Sequence, residues 1–186
     1  MQHTVRHIVL LLLALAFPLH SFAQGPQNAL KMTLLSLGSG STRISYEHTI
    51  GDRHAAELTI GVIGAGFDIL NHAHPSGYLV KAASKWNLKP QAGAPTALAG
   101  LYFKPELIWA DYNYLYDSQL GHTRELALLA EGGYQLILNW FLFDIYCGLG
   151  PTIGTGNKHN YYHGFVRYPM SGLIGWTAGF RLGVAF

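Results

Sequence analysis

The sequence predicts an all-β chain: an eight-stranded antiparallel up-and-down transmembrane β-barrel. Three observations carry this expectation. First, Gly172 to Phe186 alternates without a break. Ile174, Trp176, Ala178, Phe180, Leu182, Val184 and Phe186 fall on one face, and Leu173, Gly175, Thr177, Gly179, Arg181, Gly183 and Ala185 on the other. Successive side chains of a strand point to opposite faces, so one side is an apolar stripe and the other is small with a single charge. Second, charged residues make up only 12% of the chain, about half the usual share of a soluble domain. Third, nothing beyond the N-terminal region approaches the run of about eighteen apolar residues that a spanning helix needs.

The N-terminus reads as a signal peptide over residues 1–23. Arg6 supplies positive charge, Ile8 to Phe17 form the apolar run, and Pro18 begins the breaker region. Ser21-Phe22-Ala23 offers small residues where a signal peptidase reads them, so cleavage is expected after Ala23. The run is too short to cross a bilayer, which takes about twenty residues. Residues 24–186 then form one domain. Cys147 is the only Cys, which excludes an intrachain disulfide and a lipid-anchored Cys after the signal region.

The same period-two test marks seven more strands upstream. In Asn28 to Leu37, Leu30 and Met32 oppose Lys31 and Thr33. In Thr42 to Ile50, Ile44, Tyr46 and His48 oppose Arg43, Ser45 and Glu47. In His54 to Gly66, Leu58, Ile60 and Val62 oppose Glu57, Thr59 and Gly61. Tyr78 to Lys89 sets Val80, Ala82 and Trp86 against Lys81 and Lys85. Ala97 to Asp111 sets Leu101, Phe103, Leu107 and Trp109 against Tyr102, Lys104 and Glu106, and Pro105 within it suggests a bulge. Arg124 to Leu138 sets Leu126, Leu128 and Tyr134 against Glu125, Glu131 and Gln135. Phe141 to Gly154 sets Phe143, Ile145 and Cys147 against Asp144, Tyr146 and Gly148.

Periodicity alone leaves the inward face open, and a soluble lipocalin-like barrel would put the apolar face inside. The polar faces hold Lys31, Arg43, Lys81, Lys85, Lys104 and Arg181 against Glu47, Glu57, Glu106, Glu125, Glu131 and Asp144. Equal numbers allow pairing inside a tube that its own side chains fill, so the polar face is expected to point inward. With both termini in the periplasm, the connections at 38–41, 67–77, 112–123 and 155–171 become external loops, three of the four being long, and those at 51–53, 90–96 and 139 become periplasmic turns. Trp109 and Trp176 then belong to the outer aromatic belt, Trp86 and Trp140 to the periplasmic one.

Strands such as Gly100-Leu-Tyr-Phe-Lys-Pro-Glu-Leu and the ending Ala178-Gly-Phe-Arg-Leu-Gly-Val-Ala-Phe186 give the chain a likeness to a known group. It resembles the small outer-membrane β-barrel families of Gram-negative bacteria, the uncharacterised exported eight-stranded barrels, over essentially all of the mature chain. The resemblance implies outer-membrane lipid and the outer-membrane assembly machinery as partners. It implies that the last strand and Phe186 are the assembly signal, and it carries no cofactor and no catalytic motif.

Three function classes follow. The leading one is non-enzymatic: a filled, non-conducting barrel with a structural or surface-interaction role. Its external aromatics Tyr112, Tyr114, Tyr116, Tyr161, Tyr162, Phe165 and Tyr168 would meet a glycan or protein ligand. The second class makes the external His72, His74, His122, His159 and His163 ligands for a metal or haem. The third is a lipid-modifying hydrolase built on His74 and Ser76, with Asp68 as the candidate acid. A net charge of +2 implies no nucleic-acid partner.

Overall fold

The computed structural model describes residues 25–33, 39–68, 74–93, 96–116, 119–155, 166–167 and 174–186. The expected signal peptide lies outside these residues. Alternating side chains produce β1 (Asn28–Thr33), β2 (Ser39–Thr49), β3 (His54–Asp68), β4 (Ser76–Pro90), β5 (Gly100–Tyr116), β6 (Gln119–Leu138), β7 (Phe141–Thr155), a two-residue β8 (Val166–Arg167) and β9 (Ile174–Ala185). Each long strand pairs antiparallel with the next, and β9 returns to β1, so eight strands close into a barrel. The short β8 pairs with Trp176 and Gly175 on β9, inside a connection that sequence reads as loop.

The closing seam runs from Ala29 opposite Ala185 to Thr33 opposite Arg181. The Asn28 amide donates to the Phe186 carbonyl at 2.8 Å, and the Phe186 amide donates back to the Asn28 carbonyl at 2.8 Å. Outside the seam, the Asn28 side-chain oxygen accepts from the Tyr46 hydroxyl at 2.7 Å and lies 2.8 Å from His48 Nδ1. We call this end of the barrel the base and the opposite end the top.

Burial is inverted relative to a soluble barrel. Leu58, Ile60, Val62, Leu107, Leu128 and Ile145 stand exposed on the outward face, while all twelve charged residues of the polar faces are 6% exposed or less. The polar face therefore points inward. Trp86, which meets His54 edge-on at 5.6 Å, and Trp140, beside Phe141, face outward near the base. Trp109, edge-on to Tyr78 at 5.3 Å, and Trp176 face outward near the top.

Three local expectations need correction. Residues 112–116 and 119–123 are strand and not loop: β5 and β6 stay in register to Tyr116 opposite Gln119. Tyr112 and Tyr114 continue the inward face and are buried, and His122 lies on β6 facing outward. Pro105 causes no bulge. Lys104, Pro105 and Glu106 stay opposite Glu131, Ala130 and Leu129, and the shift falls instead between Asn87 and Lys89. The proline ring projects outward, where the missing N–H costs the β4 pairing locally but leaves the register intact. Finally, Ala97–Ala99 are not strand; they fold back into the base.

Glycine on the polar face makes room for tyrosine. Among the described residues, each of the four inward tyrosines stands opposite a glycine on a neighbouring strand: Tyr102 with Gly133, Tyr112 with Gly77, Tyr114 with Gly121 and Tyr146 with Gly179. A Cβ at Gly133 would overlap the Tyr102 hydroxyl and the Ile145 carbonyl, and one at Gly121 would overlap the Tyr114 ring.

Candidate functional site

The chemistry of this barrel is concentrated in its lumen. Near the base, Ala29, Ala55, Leu98, Ala99, Ile137, Leu142 and Ala185 form an apolar layer. Further up, Ile108, Ala127 and Leu129 make one cluster, and Ile63, Leu79, Ala110, Tyr112 and Tyr114 another. Charged side chains fill the space between.

Every long strand contributes to that charged layer. Lys31 on β1 donates to Glu47 of β2 at 2.7 Å and to Glu57 of β3, and lies 3.8 Å from Asp144 of β7. Lys85 on β4 reaches the other Glu47 oxygen at 2.8 Å. Lys104 on β5 lies 2.8 Å from Glu57, 2.8 Å from Glu131 of β6 and 3.4 Å from Glu106. Lys81 pairs with Glu106 at 2.8 Å. Arg181 on β9 donates to Asp144 at 2.9 Å and to both Glu131 oxygens at 3.0 and 2.9 Å, with its guanidinium 3.7 Å from the Tyr146 ring centre. Ten of the twelve expected residues thus join one continuous network of alternating sign. Arg43 and Glu125 are buried in the same lumen, and Arg43 donates to Ser41 at 3.3 Å.

Two neutral members were not singled out from sequence. The Tyr102 hydroxyl donates to Asp144 at 2.8 Å, and Gln135 bridges Glu47 and Lys31 at 3.2 and 3.3 Å. Their signal was position: both lie on the polar face between charged residues. Isolated buried charges are prohibitive, whereas paired and hydrogen-bonded ones are tolerated, so the layer stands only as a set.

The base is closed by the β4–β5 connection. Lys85 Nζ donates to the Leu98 carbonyl at 2.7 Å, and the Asn87 side chain donates to the carbonyls of Ala97 at 3.2 Å and Ala99 at 2.7 Å. Gln91 copies a strand's pairing on β6, donating to the Ile137 carbonyl at 3.0 Å and accepting from its amide at 2.9 Å. Thr96 ties the turn to the Pro26 carbonyl at 2.8 Å. Gly100 begins β5 at φ 125°, where a side chain would meet the Lys89 carbonyl. Leu98 is held in the mouth, fully buried.

The other candidates are scattered. His72, His159, His163, Tyr161, Tyr162, Phe165 and Tyr168 lie outside the described residues. His74 precedes β4, Ser76 begins it, and Asp68 ends β3. Among the described residues, no group of three His, Cys, Asp or Glu is placed to hold a metal ion. His122 is 2.8 Å from Asp111. Phe186 sits at the seam, bonded through its backbone.

Comparison with protein-family models, with curated proteins and with solved structures finds no match. The geometry alone carries the functional reading.

Proposed function

We propose that the chain is a bilayer-spanning barrel of the outer-membrane type, non-enzymatic, with a filled lumen that does not conduct. The observation that carries this reading is the inverted burial: lysines, arginines and carboxylates inside, leucines, isoleucines and tryptophans outside. A closed antiparallel barrel satisfies every backbone donor and acceptor between its strands, which hydrocarbon requires. An apolar outward face flanked at both ends by tryptophan fits the hydrocarbon and interface zones of a membrane. The ion network and the Leu98 layer lie across any axial water path.

In this reading residues 1–23 direct export, both termini lie in the periplasm, and the top faces outward. The role is structural or recognition at the surface, with outer-membrane lipid as the surrounding partner and a glycan or protein as the external ligand. Planar-bilayer recording tests the lumen. Purified, refolded protein is expected to give no stable conductance, and reproducible voltage-stable openings would overturn the filled-lumen reading.

A further inference from the structure

Above the base, the described outward side chains are uncharged except at one place. Asp111 on β5 stands directly opposite Arg124 on β6, with His122 one inward–outward repeat further on. Asp111 Oδ2 accepts from Arg124 Nε at 2.8 Å, and Asp111 Oδ1 lies 2.8 Å from His122 Nε2. The carboxylate is largely covered, at 16% exposure, whereas Arg124 and His122 are 64% and 49% exposed. The set lies just beyond Trp109 and Leu126, where Asn113 and His122 interrupt the outward apolar stripe of these strands before Leu115 and Leu120.

The bonding pattern leaves specific atoms to spare. Asp111 engages Nε, so the two Nη groups of Arg124 remain a planar fork with no partner among the described residues. An arginine fork is the group best matched to a phosphate, because two parallel N–H donors meet two oxygens. A carboxylate that fixes the guanidinium from behind removes much of the side-chain freedom that phosphate binding would otherwise have to restrict. With Nε2 turned to Asp111, the other ring nitrogen of His122 has no partner among the described residues; it accepts from a phosphate hydroxyl when the ring is neutral and donates to a phosphate oxygen when the ring is an imidazolium.

We propose that Arg124 and His122, oriented by Asp111, form a phosphate clamp on the outer wall of the barrel that takes the phosphate of a lipid headgroup. This rests on the bilayer-spanning reading. There the apolar wall below the clamp lies in hydrocarbon, and the tryptophan belt places the clamp level with the headgroups. A cation at that level is drawn to anionic lipid, and a forked, pre-oriented one prefers a phosphate monoester over a zwitterionic headgroup.

The test uses the refolded barrel in nanodiscs of phosphatidylcholine containing a minor fraction of phosphatidic acid. Retention of phosphatidic acid is measured by native mass spectrometry. Wild type is expected to retain phosphatidic acid above its bulk fraction. Arg124→Ala with His122→Ala should weaken retention about tenfold, the scale of one lost charge-assisted contact. Arg124→Lys, which keeps the charge without the fork, should fall between the two. Equal retention by wild type and the double variant overturns the clamp, and full retention by Arg124→Lys overturns its forked geometry. Inorganic phosphate competing as well as the lipid, mole for mole, overturns the lipid assignment in favour of a free anion. A heat-modifiable folded band in the nanodisc is the control. Its absence from wild type would count against bilayer insertion itself, a failure distinct from that of the clamp.

Discussion

Replacing Arg181 by Ala should unfold the barrel at a markedly lower urea concentration. The side chain is 3% exposed and donates to Asp144 at 2.9 Å and to Glu131 at 2.9 and 3.0 Å. The two carboxylates would not suffer equally. Glu131 would keep Lys104 at 2.8 Å, whereas Asp144 would be left with the Tyr102 hydroxyl at 2.8 Å and Lys31 at 3.8 Å. Stranding one partner of a buried pair costs about 3–5 kcal/mol. With a urea dependence of about 1–3 kcal/mol per molar, the midpoint should fall by about 1–5 M. Arg53→Ala, in the exposed β2–β3 connection, should stay within about 0.5 kcal/mol of wild type. Adding Asp144→Asn to Arg181→Ala removes the stranded charge and should recover part of the loss, a coupling that independent sites would not show. Urea titration of folded protein in lipid vesicles, followed by tryptophan fluorescence, measures these three variants and Asp144→Asn alone. Coincident midpoints for Arg181→Ala and Arg53→Ala would refute the buried pairing.

Leu98→Ala empties the apolar layer at the base and should cost about 2–5 kcal/mol in the same titration; a change below about 0.5 kcal/mol, the usual scale of a surface substitution, would mean that the β4–β5 turn is not seated in the mouth. Gly133→Ala should also destabilise, by about 1–3 kcal/mol, because its Cβ meets a β7 carbonyl and the Tyr102 hydroxyl; unchanged stability would show that the tyrosine has room to move. Deleting Phe186 removes the backbone bonds to Asn28, whereas Phe186→Asp keeps them. If the seam matters, the deletion should lower the folded, heat-modifiable fraction more than the substitution does, and equal yields would shift the weight to the aromatic ring.

How much of this was legible follows from what period-two alternation can report. It assigned Lys31, Glu57, Lys104, Asp144 and Arg181 to one face correctly, because a strand cannot turn a single side chain around without a bulge. Ion pairing between strands distant in sequence was beyond it, since nothing local distinguishes Glu57 beside Lys104 from Glu57 beside Lys81. Ala97-Leu98-Ala99 alternate as a strand would, and only the backbone at Gly100, with φ 125°, marks them as a turn folded inward. Tyr112 and Tyr114 failed in the opposite direction. They continue the inward series of β5, but tyrosine and asparagine together read as loop composition. Pro105 misled because a missing N–H breaks a hydrogen bond without changing the register, while the actual shift at Asn87–Lys89 has no proline to announce it.

The charged layer also has a polarity along the chain. Strands β1 to β4 carry Lys31, Arg43, Lys81 and Lys85 against Glu47 and Glu57, an excess of two positive charges. Strands β5 to β9 carry Lys104 and Arg181 against Glu106, Glu125, Glu131 and Asp144, an excess of two negative ones. Neither half is neutral alone, and the contacts that join them are Lys104 to Glu57 and Lys81 to Glu106, each at 2.8 Å, and, across the closing seam, Lys31 to Asp144 at 3.8 Å. An open sheet must keep these groups hydrated, and the attraction between its halves grows as water leaves the space between them. Curling the sheet into a tube and neutralising its interior are therefore one event. A chain truncated after β4 would be left with a cationic face that has nowhere to hide.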